Sequence, residues 1–451
     1  MKHHVNLLEG PIFPALSKLA LPIMGTSLIQ MAYNMTDMIW IGRVGSGAVA
    51  AVGAAGMYMW LSSGIATLSR MGGQIKVAHS LGAKDTDTAA AYAQSALWMG
   101  LLSGILYGLL AILFHGPLID FFRLNSPQVV ADAQIYLLIT CGLIVFSILN
   151  QILTGIFTAM GNSKTPFLAT AVGLVINIVL DPVLIFGLGP IPALGVAGAA
   201  IATVLAQMIV TLVFMVSARR DSVLFQKVHL WSRPPKGSLG TITRIGLPMC
   251  IQSMMFTGIS MIIARMISGW GDTAVAVQKV GSQIESISWM AADGFSSAVN
   301  SFVGQNYGAR NMRRVKRGYK TAVAVALVWG LITTLILVFL PQYIFGIFIP
   351  EASVIPMGVD YLRIIGYSQL FMCMEIMTSG AFSGLGKTVP PAVESIVLTA
   401  GRIPLAMALS ATALGLNGIW WSISISSILK GIILVTWFLL FLRRLGRSRT
   451  A

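Results

Sequence analysis

Charge is the scarcest commodity in this 451-residue sequence: only 10% of its residues are Asp, Glu, Lys or Arg, while 56% are hydrophobic and the mean hydropathy is +0.82. Soluble chains carry about 25% charged residues, so this composition excludes a soluble globular protein and makes lipid the main solvent. No long polar stretch is left over for a soluble domain. Cysteine is almost missing as well. Cys141, Cys250 and Cys373 lie inside apolar stretches, and their odd number and scatter offer no disulfide framework and no metal spacing, which leaves them as small packing residues. The five histidines, His3, His4, His79, His115 and His229, form no HExxH, and no GxSxG sits where a nucleophile needs it, which argues against an intramembrane enzyme. The N-terminus lacks a small-residue cleavage site, and its apolar run outlasts the core of a signal peptide, so it is expected to remain as the first span.

What is present is about twelve apolar stretches, each near the ~20 residues that cross a bilayer as helix. Acids number 15 against 30 bases, a net charge of +15. The bases are not interleaved with aromatics as on a nucleic-acid surface; they fall in alternate loops. One side holds Lys76, Lys84, Lys164, Arg219, Arg220, Lys227, Arg233, Lys236, Arg310, Arg313, Arg314, Lys316, Arg317 and Lys387, whereas the other holds Arg43 and Arg123. The positive-inside rule then places both termini in the cytoplasm, with Arg443, Arg444, Arg447 and Arg449 on the tail.

The sequence also repeats itself. LALPIMGTSLIQMAYNMTDMIWIGRVGSGAVAAV around Pro22 matches IGLPMCIQSMMFTGISMIIARMISGWGDTAVAVQ around Pro248, 226 positions on, and VAHSLGAKD from Val77 matches VGQNYGARN from Val303 without a gap. Gly161 to Pro166 resembles Gly386 to Pro390. Six spans per half give parallel repeats, the plan of transporters whose bundles rock about a central site. The expected organisation is an N-terminal six-helix lobe over 1–218, a cytoplasmic linker over 219–242 and a C-terminal six-helix lobe over 243–451.

With Pro22 followed by NMTDMIWIGRVG (Asn34 to Gly45), GNSKTP (Gly161 to Pro166), INIVLDPVLIFG (Ile176 to Gly187) and GVAGAAIAT (Gly195 to Thr203) in order, the chain resembles the multidrug and toxic compound extrusion (MATE) family over its whole length. Asp37 and the Asn177-to-Asp181 pattern look like its DNA-damage-inducible, DinF-like branch. The resemblance implies an all-α polytopic protein of twelve helices in two pseudo-symmetric bundles forming a V-shaped cleft. It further implies export of amphipathic or cationic drugs by antiport, residence in a bacterial inner membrane, a monomeric state, and no cofactor beyond a coupling ion, H⁺ or Na⁺.

An ionisable side chain in hydrocarbon is a functional hypothesis until a structural partner is found. The first half buries Asp37 and Asp181 away from its bases, whereas the second mixes Glu285, Glu375 and Glu394 with Lys279, Arg402 and Lys430. Rise per residue places Asp37 and Asp181 roughly 24–32 Å from the inner end of their helices, deep enough to share a pocket. Tyr33 and Asn34 precede Asp37 by four and three residues, and Asn177 precedes Asp181 by four. Pro182 lacks the N–H that would bond the Ile178 carbonyl, leaving a spare oxygen. Two carboxylates, an amide and that carbonyl could coordinate Na⁺, because hard cations take oxygen ligands. A crowded, desolvated carboxylate pair could instead trap a proton. The sequence does not choose, although proton coupling is the expectation carried forward.

By resemblance, Asp37, Asn177, Asp181 and Thr203 match the family's cation-site positions, with Tyr33 and Asn150 nearby. Glu285 and Glu375 are secondary candidates with structural alternatives: Lys279 for Glu285, Lys430 or Arg402 for Glu375. Another branch uses a carboxylate about eight positions after the seventh span's proline; Phe256 stands there, which argues against that kind of site. Substrate contact is expected from Tyr33, Asn34, Asn150 and adaptable methionines, Met31 and Met35 first among 24. A flippase for lipid-linked glycans would need a basic cavity rather than buried acids, and a channel would not need duplicated, proline-broken bundles.

Overall fold

Lipid cannot satisfy backbone N–H and C=O groups, so a chain this apolar must hydrogen-bond its backbone internally, and helix is the local solution. The computed structural model describes residues 5–122, 124, 126–221, 224–229, 232–348 and 351–447; Arg123, Arg449, His3 and His4 lie outside them. Among the described residues the only β pairing is an isolated bridge between Leu188 and Ile191.

The first half runs α1 (Ile12–Val44), α2 (Ser46–Gly82), α3 (Thr86–Asp120), α4 (Pro127–Gly142), α5 (Val145–Ala159), α6 (Lys164–Phe186) and α7 (Gly195–Arg219). The second runs α8 (Ser238–Ser268), α9 (Asp272–Gly308), α10 (Met312–Phe339), the short α11 (Pro341–Phe348), α12 (Ile355–Gly366), α13 (Gln369–Gly384), α14 (Val389–Ala400), α15 (Arg402–Ser410) and α16 (Leu416–Arg447). Counting α4–α5, α12–α13 and α14–α15 as broken spans gives six crossings per half, twelve in all. By length and composition, nine spans among the described residues qualify outright, and the pair α4–α5, bent by 44°, makes ten. The other two crossings, α9 and α12–α13, are where the second half keeps Lys279, Glu285, Asp293 and Glu375.

The repeat is written into backbone geometry as well as into letters. Gly45 and Gly271, 226 apart, both take positive φ (146° and 103°), and so do Lys84 and Arg310 (60° and 58°), a left-handed conformation that non-glycine residues rarely adopt. Directly afterwards Asp85 caps α3 by accepting from the Thr88 N–H, and Asn311 caps α10 by accepting from the Arg314 N–H. Each half therefore turns the same corner by the same device.

Packing separates the chain into two compact units, Met1–Leu8 with Leu21–Cys250, and Glu9–Ala20 with Ile251–Ala451. The first is built on small residues, because dispersion rather than water exclusion holds helices together in lipid and close approach is the source of that attraction. Gly100, Gly104 and Gly108 form one stripe on α3 against α4 and α5. A Cβ at Gly104 would come within 2.9 Å of Val145 Cα, and one at Gly108 within 2.6 Å of the Gly142 carbonyl oxygen. Ala89, Ala90, Ala93 and Ala96 extend the buried face of α3 into a core with Ile148, Ile152, Ile156 and Phe157 of α5. The second unit gathers around Trp420 of α16, whose indole donates to Gln278 at 2.8 Å and meets Tyr361 edge-on.

Candidate functional site

Four helices of the first unit bring polar groups to one buried place. On α1, one turn apart, Tyr33, Asp37 and Ile41 form the inward line, and all three are buried. Asn177 and Asp181 lie one turn apart on α6 and are fully buried. Thr203 enters from α7, which can approach because Gly198 packs where any Cβ would strike the Leu184 carbonyl of α6. Tyr136 closes the cluster from α4.

The cluster is short of partners. Asn177 donates from Nδ2 to Asp181 Oδ1 at 3.1 Å. Asp37 and Asp181 are close enough to repel each other, and both act electrostatically on Tyr33 and Tyr136. The Tyr33 hydroxyl lies beside that of Thr203, yet neither completes a hydrogen bond of normal geometry. Asp37 Oδ1, Asp181 Oδ2, Asn177 Oδ1, Tyr33 Oη and Thr203 Oγ1 are all buried without a hydrogen-bond partner. Two ion pairs among the described residues, Lys227–Asp87 and Lys430–Glu375, involve neither of these acids. Unpartnered polar atoms at this density are costly unless something fills the space between them. Five oxygens are a fit for a proton shared by the acids or for a hard monovalent cation. Among the described residues no three His, Cys, Asp or Glu side chains converge as a metal site. Pro182 lies within α6, so the Ile178 carbonyl has no helical donor and adds a further oxygen to that helix.

Of the residues read from the sequence, Tyr33, Asp37, Asn177, Asp181 and Thr203 come together. Asn150 does not join them: its Nδ2 donates to the Gln207 side chain and carbonyl at 2.9 and 3.0 Å, and its Oδ1 accepts from Thr211 at 2.8 Å, so its polar atoms are spent tying α5 to α7. Asn34 and Met35 are exposed and Met31 is half-buried. At 100° per residue, Asn34 stands on the opposite flank of Asp37 from Tyr33, and only the Tyr33 flank faces inward. Tyr136 escaped sequence reading because a lone tyrosine in an apolar span carries no pattern.

In the second unit Glu375 is held by Lys430, with Nζ 2.8 Å from Oε1, which is its structural alternative. Glu285 accepts from Gln369 Nε2 at 3.2 Å and feels Arg402. Lys279, expected to neutralise it, is exposed. Six residues carry it about 240° round the helix, away from the face of Glu285.

Duplicated six-span bundles, one of them holding two buried acids with no ion-pair partner among the described residues, define the class: a membrane transporter. The MatE family model matches residues 22–183 and 248–408, and the chain belongs to the multidrug and toxic compound extrusion family. It is 27% identical over 432 residues to a probable multidrug resistance protein NorM of Thermotoga maritima, covering 94% of this chain and 91% of that one. Among solved structures, a MOP superfamily transporter from Pyrococcus furiosus, described as having a binding pocket of reverse polarity, aligns with a TM-score of 0.88 at 26% identity over 98% of both chains. An outward-facing multidrug resistance MATE family transporter aligns with a TM-score of 0.88 at 25% identity, again over 98% of both.

Proposed function

We propose that the chain is a secondary active multidrug exporter of the inner membrane, with both termini cytoplasmic, in which the Asp37–Asp181 site exchanges a proton for amphipathic or cationic drug. The observation that carries this reading is the pair of mutually repelling, buried carboxylates with no base beside them. The pair is balanced when a proton or cation enters, and unbalanced when it leaves. That cycle needs a mobile positive charge, which a transporter draws from the ion gradient. Loading Asp37 relieves its repulsion with Asp181, changes the packing of α1 against α6 and α7, and so links ion occupancy to drug release. The multidrug resistance proteins to which the chain is similar support drugs as cargo.

The test is drug efflux from proteoliposomes under an imposed pH gradient and, separately, an imposed sodium gradient. A pH gradient alone is expected to drive efflux, and Asp37→Asn is expected to abolish it at equal protein density. Efflux driven only by sodium would assign the site to Na⁺. Wild-type efflux by Asp37→Asn would remove the site from the mechanism.

A further inference from the structure

The second unit contains a charge cluster that coupling at Asp37 does not use. Glu285 on α9, Glu375 on α13 and Glu394 on α14 share it with Arg402 at the head of α15 and Lys430 on α16, each within electrostatic reach of others in the set. Lys430 is committed to Glu375 at 2.8 Å. Arg402 gives its donors to Ser426 Oγ at 2.6 Å and Ser427 Oγ at 3.1 Å, and Gln369 serves Glu285. Three acids therefore face two bases, and the surplus negative charge falls on Glu394. That side chain is 5% exposed, and both of its carboxyl oxygens are buried without a hydrogen-bond partner. The charged groups that act on it are Glu375, from α13, and Lys430, from α16.

A carboxylate in that position would be a desolvated anion with no donor, next to another anion whose counterion is already engaged. As a neutral acid it brings the cluster to two negative and two positive charges. We propose that Glu394 is a second protonation site, holding an exchangeable proton beside the Glu375–Lys430 pair. The proton enters from the aqueous phase and returns to it. Passed from Glu394 to Glu375, it leaves the total charge unchanged and transfers Lys430 from one acid to the other. The second unit thus has two arrangements of equal charge, distinguished by which helix, α13 or α14, is tied to α16. The link of this switch to drug movement rests on the exporter reading above; the protonation itself does not.

Infrared difference spectroscopy between acid and alkaline pH, on the full chain in lipid, reads the proton directly. Loss of one protonated-carboxyl carbonyl band is expected in Glu394→Gln, with the same band retained in Asp37→Asn and Asp181→Asn. Sodium chloride at fixed pH is expected to leave that band in place. If Glu394→Gln does not yield monodisperse protein, Glu394→Asp replaces it, and a displaced band is the supporting result. The proposal is overturned if Glu394→Gln keeps every protonated-carboxyl band of the wild type, if Glu394→Asp displaces none, or if sodium removes the band. An absence of drug transport would overturn the exporter reading and leave these spectra untouched.

Discussion

Lys430→Met puts a number on the ionic lock of the second unit. The substitution keeps most of the side-chain volume and removes the charge together with its N–H donors. Lys430 and Glu375 have side chains 6% and 11% exposed and sit 2.8 Å apart, so the pair is desolvated and well formed. Removing one partner of such a pair strands the other, at a cost of about 3–5 kcal/mol. That corresponds to roughly two to four orders of magnitude in the ratio of folded to unfolded protein. The internal control is Lys227–Asp87, also 2.8 Å long but 46% and 85% exposed, and worth under about 1 kcal/mol. Reversible denaturation in mixed micelles measures both. Lys430→Met is expected to be several times more harmful than Asp87→Ala, and adding Glu375→Gln to Lys430→Met is expected to restore most of the loss, since no unpaired charge then remains between them. Equal effects from Lys430→Met and Asp87→Ala, or a double variant no better than the single, would refute the claim that burial makes this pair matter.

Asn150→Ala removes three hydrogen bonds between α5 and α7 and is expected to lower stability by about 1–3 kcal/mol while leaving the apparent drug affinity of the folded fraction unchanged; a drug-affinity change without a stability change would return Asn150 to substrate binding. Asp85→Ala is expected to destabilise the start of α3 in a way that depends on pH. Hydrogen bonds from Thr88 hold the Asp85 carboxyl below its ordinary value of 3.8. Its contribution is therefore complete above the unfolded-state value and lost as pH falls through the lower folded one, so wild type and variant should differ by a constant amount at neutral pH and converge only below about pH 4.

Much of the architecture was legible because hydrophobic length and repetition are local properties. Pro22 and Pro248, and the corners at Lys84 and Arg310, could be aligned by letters alone. The convergence of Asp37 with Asp181 followed from depth arithmetic on two helices entering from the same side. Rotation about the helix axis was harder to read. Asn34 and Tyr33 are adjacent in sequence, yet which one faces inward is decided by α6 and α7, and nothing within α1 encodes that choice. Asn150 illustrates the same gap: an amide in an apolar helix reads as a ligand, but the partner that claims it lies 57 residues away on α7. Glu394 was hidden by company. Its half of the chain holds enough bases to balance its acids on paper, and only the hydrogen bonds reveal which acid is left without one.

The corner between α2 and α3 leaves little slack. Gly82 ends one helix and Thr86 begins the next, so an extra residue there would have to be swallowed by the joint or rotate α3 by about 100°. Such a rotation would swing the alanine and glycine stripe out of the core and into the hydrocarbon. This explains why the two halves stay in step, 226 apart, through this corner, and slip by one only later, by the time Gly161 and Gly386 are reached. The ungapped stretch of the repeat thus covers the part of each half where the length of the joint sets the rotation of the helix that follows it.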